Sequence, residues 1–209
     1  SEIASWRQHL HENPEIAYEE KDTANFVAAK LESFGVEVHR GFGGTGLVGV
    51  IHGNQGDPAS GKAIGLRADM DALPMSEETN LAYASKRPGR MHACGHDGHS
   101  AMLLAYLRVA TSHPDFRPQN PIRLIWQRSE ERGPLYSGAL KLIEEGVLDN
   151  VSHVYSLHLN SLGEIGHFYS KPGPFLAATG ELFIELGAQG GHVMRQDIYP
   201  SVLDIASQI

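Results

Sequence analysis

The 209-residue sequence predicts an α/β fold, a mostly parallel sheet flanked by helices, on three observations. From residue 63 onward, short apolar runs typical of buried strands alternate with segments of helical periodicity. That β-α-β-α-β order favours parallel strands joined by crossover helices. The composition, 41% hydrophobic and 20% charged, is that of a globular chain with enough apolar residues for a core.

The elements are predicted in order from periodicity and from residues that end helices. Two amphipathic helices open the chain, the second ending at Gly35. Strands are expected over residues 47–52, 63–68, 122–127 and 151–158. Helices are expected over residues 97–111 and 136–145, the latter stopped by Gly146.

The sequence changes character after Pro172-Gly173-Pro174, where we place a domain boundary. Residues 181–186 alternate like a half-exposed strand, and residues 202–209 resemble the opening of a helix. We therefore predict a catalytic domain over residues 1–173 and the start of another domain over residues 174–209. A unit of about 35 residues is too small to bury its own core, so we expect this domain to be incomplete.

Charge and composition exclude several classes of function. Lys and Arg number 17 against 25 Asp and Glu, a net charge of −8, which argues against nucleic-acid binding. No apolar stretch reaches the ~20 residues of a membrane span, and the first residues lack a signal-peptide pattern. A single Cys excludes an internal disulfide framework and is typical of a reducing compartment, so we expect a cytoplasmic protein.

Potential metal ligands cluster where α/β sheets bind their ligands, beyond the carboxyl ends of the strands. The residues that follow predicted strands are Asp69, Asp71, Glu130, Glu131 and His158. A further group comes at the start of the long helix: Cys94, His96, Asp97 and His99. These side chains are the usual ligands of divalent metals, and a thiolate beside imidazoles favours ions such as zinc.

Each of these residues also has an ordinary structural interpretation. A lone Cys is commonly a small core residue, and a lone His at a strand end is commonly structural. The Glu pair beside Arg128 and Arg132 resembles a solvated charge cluster. Three histidines within five residues of Cys94, and the position of the Glu pair after an apolar strand, favour the metal site.

Two other patterns are interpreted as structural. The run GFGGTG at residues 41–46 precedes a strand rather than opening a helix, so it predicts a turn between strands and no phosphate-binding loop. The run Tyr18-Glu19-Glu20 is interpreted as acidic charge at the start of a helix.

The chain resembles the aminoacylase, hippurate hydrolase and indoleacetyl-amino-acid hydrolase family of di-metal amidohydrolases. Matching stretches run in order along nearly the whole chain: HLHENPEIAYEE (9–20), GGTGLVGVIHG (43–53), GLRADMDALPM (65–75), RMHACGHDGHSAMLL (90–104), the Glu pair (130–131), GALKLIEEGVL (138–148), LHL (157–159) and GGH (190–192). The stretches HACGHDGH and RADMDALP are the most specific of these.

The resemblance implies a zinc-peptidase-like catalytic domain followed by the start of an inserted α+β dimerisation, or lid, domain. It implies two divalent transition-metal ions, Zn, Mn, Co or Ni. The implied ligands in this chain are Cys94, His96, Glu131 and His158. One more His ligand of the family lies in a later segment, so we expect the polypeptide either to continue past Ile209 or to be a truncated product.

The resemblance also implies roles for residues that are not ligands. Glu130 would be the general base, and His192 of the lid would stabilise the tetrahedral oxyanion. Asp71 and Asp97 would orient the ligands. The implied reaction is metal-dependent hydrolysis of the amide bond of N-acyl amino acids or related small amides, by a homodimer or higher homo-oligomer formed through the lid.

Two alternatives stay open beside this reaction. One is a truncated or degenerate relative that binds metal weakly or acts through dimerisation. The other is a cysteine-based or redox enzyme that uses Cys94, although it explains only one of the clustered segments.

The sequence departs from the family pattern beside the Glu pair. The family usually has Pro-Ala before the pair and Gly after it, whereas this chain has Arg128-Ser129 before it and Arg132 after it. Two added guanidinium groups are expected to favour ionised Glu130 and so to weaken it as a base. The residues after GGH also differ from the family, which affects the lid contacts.

Overall fold

The computed structural model describes residues 1–53, 62–133, 136–177, 180, 182–195 and 201–209. The chain divides into two compact units, Ser1–Phe168 and Tyr169–Ile209. No helix in the described ranges combines the length and apolar character that a membrane crossing requires. The boundary predicted after residue 173 and the cytoplasmic location stay predictions.

The first unit is built on a five-stranded sheet with the order β1-β2-β4-β3-β5. Its strands are β1 (Glu37–Phe42), β2 (Gly46–Ile51), β3 (Ala63–Asp69), β4 (Ile122–Gln127) and β5 (Val151–Ser156). Its helices are α1 (Glu2–Glu12), α2 (Lys21–Ser33), α3 (His96–Ser112) and α4 (Gly138–Glu144).

Strands β3, β4 and β5 are parallel, as the β-α-β-α-β order predicts. Strands β1 and β2 form an antiparallel hairpin, and β2 also pairs antiparallel with β4, which makes the sheet mixed. The run at residues 41–46 forms the hairpin turn, as predicted. Gly43 and Gly44 there have φ angles of 58° and 110°, which residues with a Cβ rarely adopt.

Side chains of β4 alternate between two apolar layers because successive strand residues point to opposite faces. Leu124 and Trp126 pack in the larger core with residues of α1, α2 and α3. Ile125 packs on the other face with Leu142 of α4. Helices therefore cover both faces of the sheet.

The three parallel strands end at one edge of the sheet, and this edge positions the candidate site. Asp69 ends β3, and Gln127, which ends β4, lies opposite it in the register. A 3₁₀ turn at Glu130–Arg132 follows β4, and α3 begins at His96. The chain leaving β5 reaches His158 two residues after Ser156.

The second unit contains a 3₁₀ turn at Val193–Arg195 and a short helix, α5 (Val202–Ala206). This helix confirms the pattern predicted from residue 202. The strand predicted over residues 181–186 is absent from its described part, residues 182–186. A strand needs a partner for its backbone N–H and C=O groups, and the described residues of this unit form none.

Candidate metal centre

His96 is the centre of the candidate site. It follows Gly95, whose φ of 87° turns the chain into α3. The imidazole is buried, and neither ring nitrogen has a hydrogen-bond partner among the described residues. Its Nε2 lies 3.7 Å from Oε1 of Glu131 and 3.9 Å from Oε2 of Glu130. Oε1 of Glu131 is likewise buried without a hydrogen bond to the described residues. Two potential metal-ligand atoms, Nε2 of His96 and Oε1 of Glu131, therefore face one another.

Cys94 and His158 extend this cluster on one side. The Sγ atom of Cys94 lies 3.4 Å from Nε2 of His158. Nδ1 of His158 donates to the carbonyl oxygen of Leu159 at 2.7 Å, which leaves the Nε2 lone pair directed toward the thiol. Cys94, His96 and His158 each offer a ligand atom, all within 4.8 Å of one another.

A second group of potential ligands shares His96. His96, Glu130 and Glu131 also offer ligand atoms that lie within 4.8 Å of one another. The structure thus brings all four sequence-predicted ligands and the predicted base into two overlapping groups. Asp69, His96 and His99 form a third such group, so three sets of potential ligand atoms meet at His96.

Asp71 connects His96 to the Glu pair, and its role in orienting the ligands stays a prediction. Its Oδ1 accepts the backbone N–H of Glu130 at 3.0 Å, and its Oδ2 accepts that of Glu131 at 2.9 Å. Oδ1 also lies 3.4 Å from Nδ1 of His96. Burial opposes ionisation of Asp71, but the His96 contact and the two N–H groups lower its pKa.

Asp69 and His99, named from the sequence among the potential metal ligands, form a second support for the site. Nδ1 of His99 donates to Oδ1 of Asp69 at 2.6 Å, and Nε2 accepts the backbone N–H of Leu159 at 3.0 Å. Both ring nitrogens of His99 therefore make hydrogen bonds, and the ring fixes the backbone of Leu159, the residue after His158. The spacing of His96 and His99 on α3 was the available indication, because residues three apart share a helix face.

The carboxylate of Asp69 is held charged by its neighbours. Burial opposes ionisation, but the His99 hydrogen bond and the Arg67 guanidinium, 2.7 Å away, hold the pKa of Asp69 well below its ordinary range. A permanently charged Asp69 keeps the proton of His99 on Nδ1. That fixes Nε2 as the acceptor for Leu159.

Asp97 does not contact the ligands, in contrast to the expectation. Its Oδ2 lies 2.7 Å from Nε of Arg7 and 2.8 Å from Nδ1 of His11, both on α1. Consecutive helix residues point in directions about 100° apart, so Asp97 turns away while its neighbour His96 faces the site. Asp97 thereby anchors the first turn of α3 to α1.

Glu130 has the electrostatic character of a base. Burial, together with the nearby charges of Asp69 and Glu131, raises the pKa of Glu130. The charges of His96 and Arg67 oppose this shift, whereas the guanidinium groups of Arg128 and Arg132 lie over the Tyr18 ring, 4.4 and 5.7 Å from its centroid. The weakening of the base by Arg128 and Arg132 stays a prediction.

The surroundings of His96 favour a positive charge. Burial opposes protonation, yet the contacts with Asp71 and Cys94 raise the pKa of His96 to about 11. His192, by contrast, lies in the second unit, where its Nδ1 accepts the backbone N–H of Met194 at 3.2 Å. Its role at the oxyanion stays a prediction.

Comparisons with known proteins agree with the motifs. The family described as peptidase family M20/M25/M40 matches residues 65–205. Thermostable carboxypeptidase 2 of Saccharolobus solfataricus is 42% identical over 196 residues, which cover 91% of this chain and 48% of the relative. An N-acyl-L-amino acid amidohydrolase of Geobacillus stearothermophilus is 41% identical over 194 residues, 92% of this chain and 50% of the relative.

A solved structure agrees as well. A dinuclear metal binding peptidase of the M20 family from Bacillus subtilis superposes with a TM-score of 0.69 at 35% identity, covering 76% of this chain and 43% of that chain. The present chain spans about half the length of the curated relatives it matches. The motif-based resemblance is confirmed, and the chain belongs to peptidase family M20/M25/M40.

Proposed function

We propose that this chain forms the metal-binding part of an amidohydrolase that cleaves the amide bond of N-acyl amino acids or related small amides. One observation carries the proposal. His96 is buried among carboxylates and beside a thiol–imidazole pair, and neither ring nitrogen makes a hydrogen bond of ordinary geometry. A divalent cation suits this combination of sulfur, nitrogen and oxygen atoms.

Four residues would hold the metal ions: Cys94, His96, Glu131 and His158. The mixed sulfur, nitrogen and oxygen donors suit Zn, Mn, Co or Ni. Two such ions, when bound, would activate water and polarise the scissile carbonyl. The resemblance implies one further His ligand that is not among these 209 residues.

Glu130 is proposed as the general base because of its position and its raised pKa. Its Oε2 lies 3.9 Å from Nε2 of His96, and the side chain is partly exposed, so a water molecule can reach the carboxylate. Glu130 would take a proton from the attacking water and return it to the leaving amide nitrogen. His192 would stabilise the oxyanion.

The names of relatives support the substrate class. The Geobacillus relative is an N-acyl-L-amino acid amidohydrolase, and one from Campylobacter jejuni, 41% identical over 193 residues, is a hippurate hydrolase. Both names describe hydrolysis of an amide that carries an amino acid. Assembly through the second unit as a homodimer is proposed on the resemblance.

An activity screen of the natural full-length polypeptide tests the proposal. N-acetyl and N-benzoyl amino acids are offered before chelation, after chelation, and after return of Zn, Mn, Co or Ni. We expect turnover that chelation abolishes and a divalent ion restores. A metal-loaded protein with no turnover would identify a non-catalytic relative. Turnover that survives chelation and is lost on thiol alkylation would identify a cysteine enzyme.

A further inference from the structure

Glu20 is a fully buried carboxylate that the proposed reaction does not use. Glu20 stands at the N-cap of α2, the helix-start position predicted for it, but its side chain makes no capping hydrogen bond to that helix. Instead, Oε1 accepts the backbone N–H of Ser129 at 2.8 Å and that of Tyr18 at 3.1 Å. Oε2 accepts the hydroxyl of Thr45 at 2.7 Å. One carboxylate thus joins its own segment to two distant ones, at Thr45 and Ser129.

Ser129 is the residue immediately before the Glu pair, and its conformation depends on these contacts. It is buried, with φ and ψ both 50°, in the left-handed region that residues with a Cβ seldom occupy. Its hydroxyl donates to Oε1 of Glu20 at 3.2 Å and accepts the N–H of Tyr18 at 2.9 Å. The left-handed turn sets the direction in which the chain enters Glu130.

Three consecutive backbone N–H groups therefore donate to buried carboxylates. The N–H of Ser129 donates to Glu20, and those of Glu130 and Glu131 donate to Asp71. Two carboxylates from different segments hold this short turn along its whole length. Charged acceptors make such bonds stronger than neutral ones.

The residues beside the Glu pair that depart from the family pattern belong to this arrangement. The Arg128 and Arg132 guanidinium groups cover Tyr18, and Nε of Arg128 donates to the Ser129 hydroxyl at 3.3 Å. A Cβ on Gly44 would lie 2.7 Å from the Arg128 guanidinium, so the hairpin turn leaves room for this side chain. The residues that replace the family pattern beside the Glu pair thus contact Tyr18 or Glu20: Arg128 and Arg132 contact Tyr18, and Ser129 contacts Glu20.

We propose that Glu20 is a positioning residue that, through Ser129, sets the place of the Glu130 and Glu131 carboxylates at the metal centre. The expected effect of a Glu20 substitution on turnover rests on the proposed function. The expected displacement of Glu131 does not rest on it, because the turn would move whether or not the site is catalytic.

The test compares variants of one buried carboxylate with a matched control. Glu20→Ala removes the carboxylate that accepts the N–H groups of Ser129 and Tyr18. Glu20→Asp keeps a carboxylate on a shorter side chain, and Glu20→Gln keeps one oxygen that can accept these N–H groups. The control is Glu15→Ala, because Glu15 is also buried but accepts the N–H groups of Asp22 and Thr23 at the start of α2. The readouts are kcat and KM for an N-acyl amino acid, and the visible absorption bands of the Co²⁺-loaded full-length protein.

We expect Glu20→Ala to lower kcat by about 10- to 100-fold with little change in KM, because a shift of about 1 Å at the chemistry has an effect of this size. The Co²⁺ bands are expected to shift, since Glu131 moves. Glu20→Gln should stay close to the wild type in both readouts. Glu15→Ala should lower thermal stability and leave kcat and the bands unchanged.

The proposal is overturned if Glu20→Ala and Glu15→Ala lose stability alike and both keep wild-type kcat and bands. If Glu20→Ala does not fold, the contrast between Glu20→Asp and Glu20→Gln decides, and equal kcat and equal bands in these two variants overturn the proposal. A wild-type protein without turnover refutes the proposed function instead, and the Co²⁺ bands still test the positioning role.

Discussion

The candidate metal centre has two sides, called here the held side and the open side, which are stabilised differently. The held side consists of His96, Asp71, Glu130 and Glu131, where Asp71 is 1% exposed and bonds two backbone N–H groups. The open side consists of Cys94, which is partly buried, and His158, which is exposed beyond the edge strand β5. Substitution of the buried Asp71 should therefore disturb folding as well as chemistry, whereas substitutions on the open side should weaken metal binding, and with it turnover, with little effect on the folding of the metal-free protein.

The largest expected effect is that of Glu130→Gln on the held side. Turnover of an N-acyl amino acid should fall by about 10²- to 10⁴-fold, because the amide cannot accept the proton that the carboxylate takes. Metal content, measured by elemental analysis, should not change, since Glu130 is not a proposed ligand. Glu144→Gln is the control, because Glu144 is half-exposed and pairs with Lys141 on the surface. Wild-type turnover in Glu130→Gln would refute the assigned base.

His158→Asn removes the candidate imidazole ligand on the open side. We expect the Kd for Zn to rise by more than the roughly 10- to 100-fold typical of losing a residue that only supports a ligand. The free energy of unfolding of the metal-free protein should stay the same, because His158 is exposed. The matched control, His153→Asn, lies on β5 and should alter neither quantity. Unchanged Zn affinity in His158→Asn would exclude it as a ligand.

Asp71→Asn measures how far the held side contributes to folding. The variant loses a charged acceptor for the N–H groups of Glu130 and Glu131, so the metal-free protein should lose about 1.5–3 kcal/mol of unfolding free energy in urea. Exposed Asp115→Asn should change this free energy little. A more stable Asp71→Asn variant would show that repulsion among the carboxylates outweighs these hydrogen bonds.

The smallest effect concerns His11, which supports α3 through Asp97. The hydrogen bond to Asp97 raises the pKa of His11 above 6.5, against the opposing effect of burial. Its stabilisation is therefore complete below pH 6.5 and is lost as pH rises through the folded-state pKa. A tenfold change in the proton affinity of a group corresponds to about 1.4 kcal/mol of folding free energy. His11→Gln should flatten the stability profile of the metal-free protein above pH 6.5, and identical profiles would contradict this.

Hydrophobic periodicity predicted the positions of the buried strands, but it did not predict where each strand ends. The strand predicted over residues 122–127 is found as Ile122–Gln127, because an apolar run with β-branched residues is buried on both faces. The strand predicted to reach residue 158 ends at Ser156, the last residue with a partner on β3. Strand ends depend on the neighbouring strand and not on the sequence of the strand alone.

The clustering of the candidate ligands was predicted because they stand in short, specific motifs, whereas most of the contacts that support them were not. The Glu20–Ser129 hydrogen bond joins residues 109 positions apart, and no periodicity reports such a contact. The direction of Arg128 was missed for the same reason, because the Tyr18 ring that it covers belongs to a distant segment. The sequence therefore indicates the candidate metal ligands better than it indicates what holds them in place.

The central claim is that the cluster around His96 holds metal. Elemental analysis of the natural full-length polypeptide, purified without chelator and identified by intact mass, tests it directly. The account predicts about two divalent transition-metal ions per chain. A correctly folded protein that contains no such ion, and takes up none when Zn, Mn, Co or Ni is supplied, would contradict it.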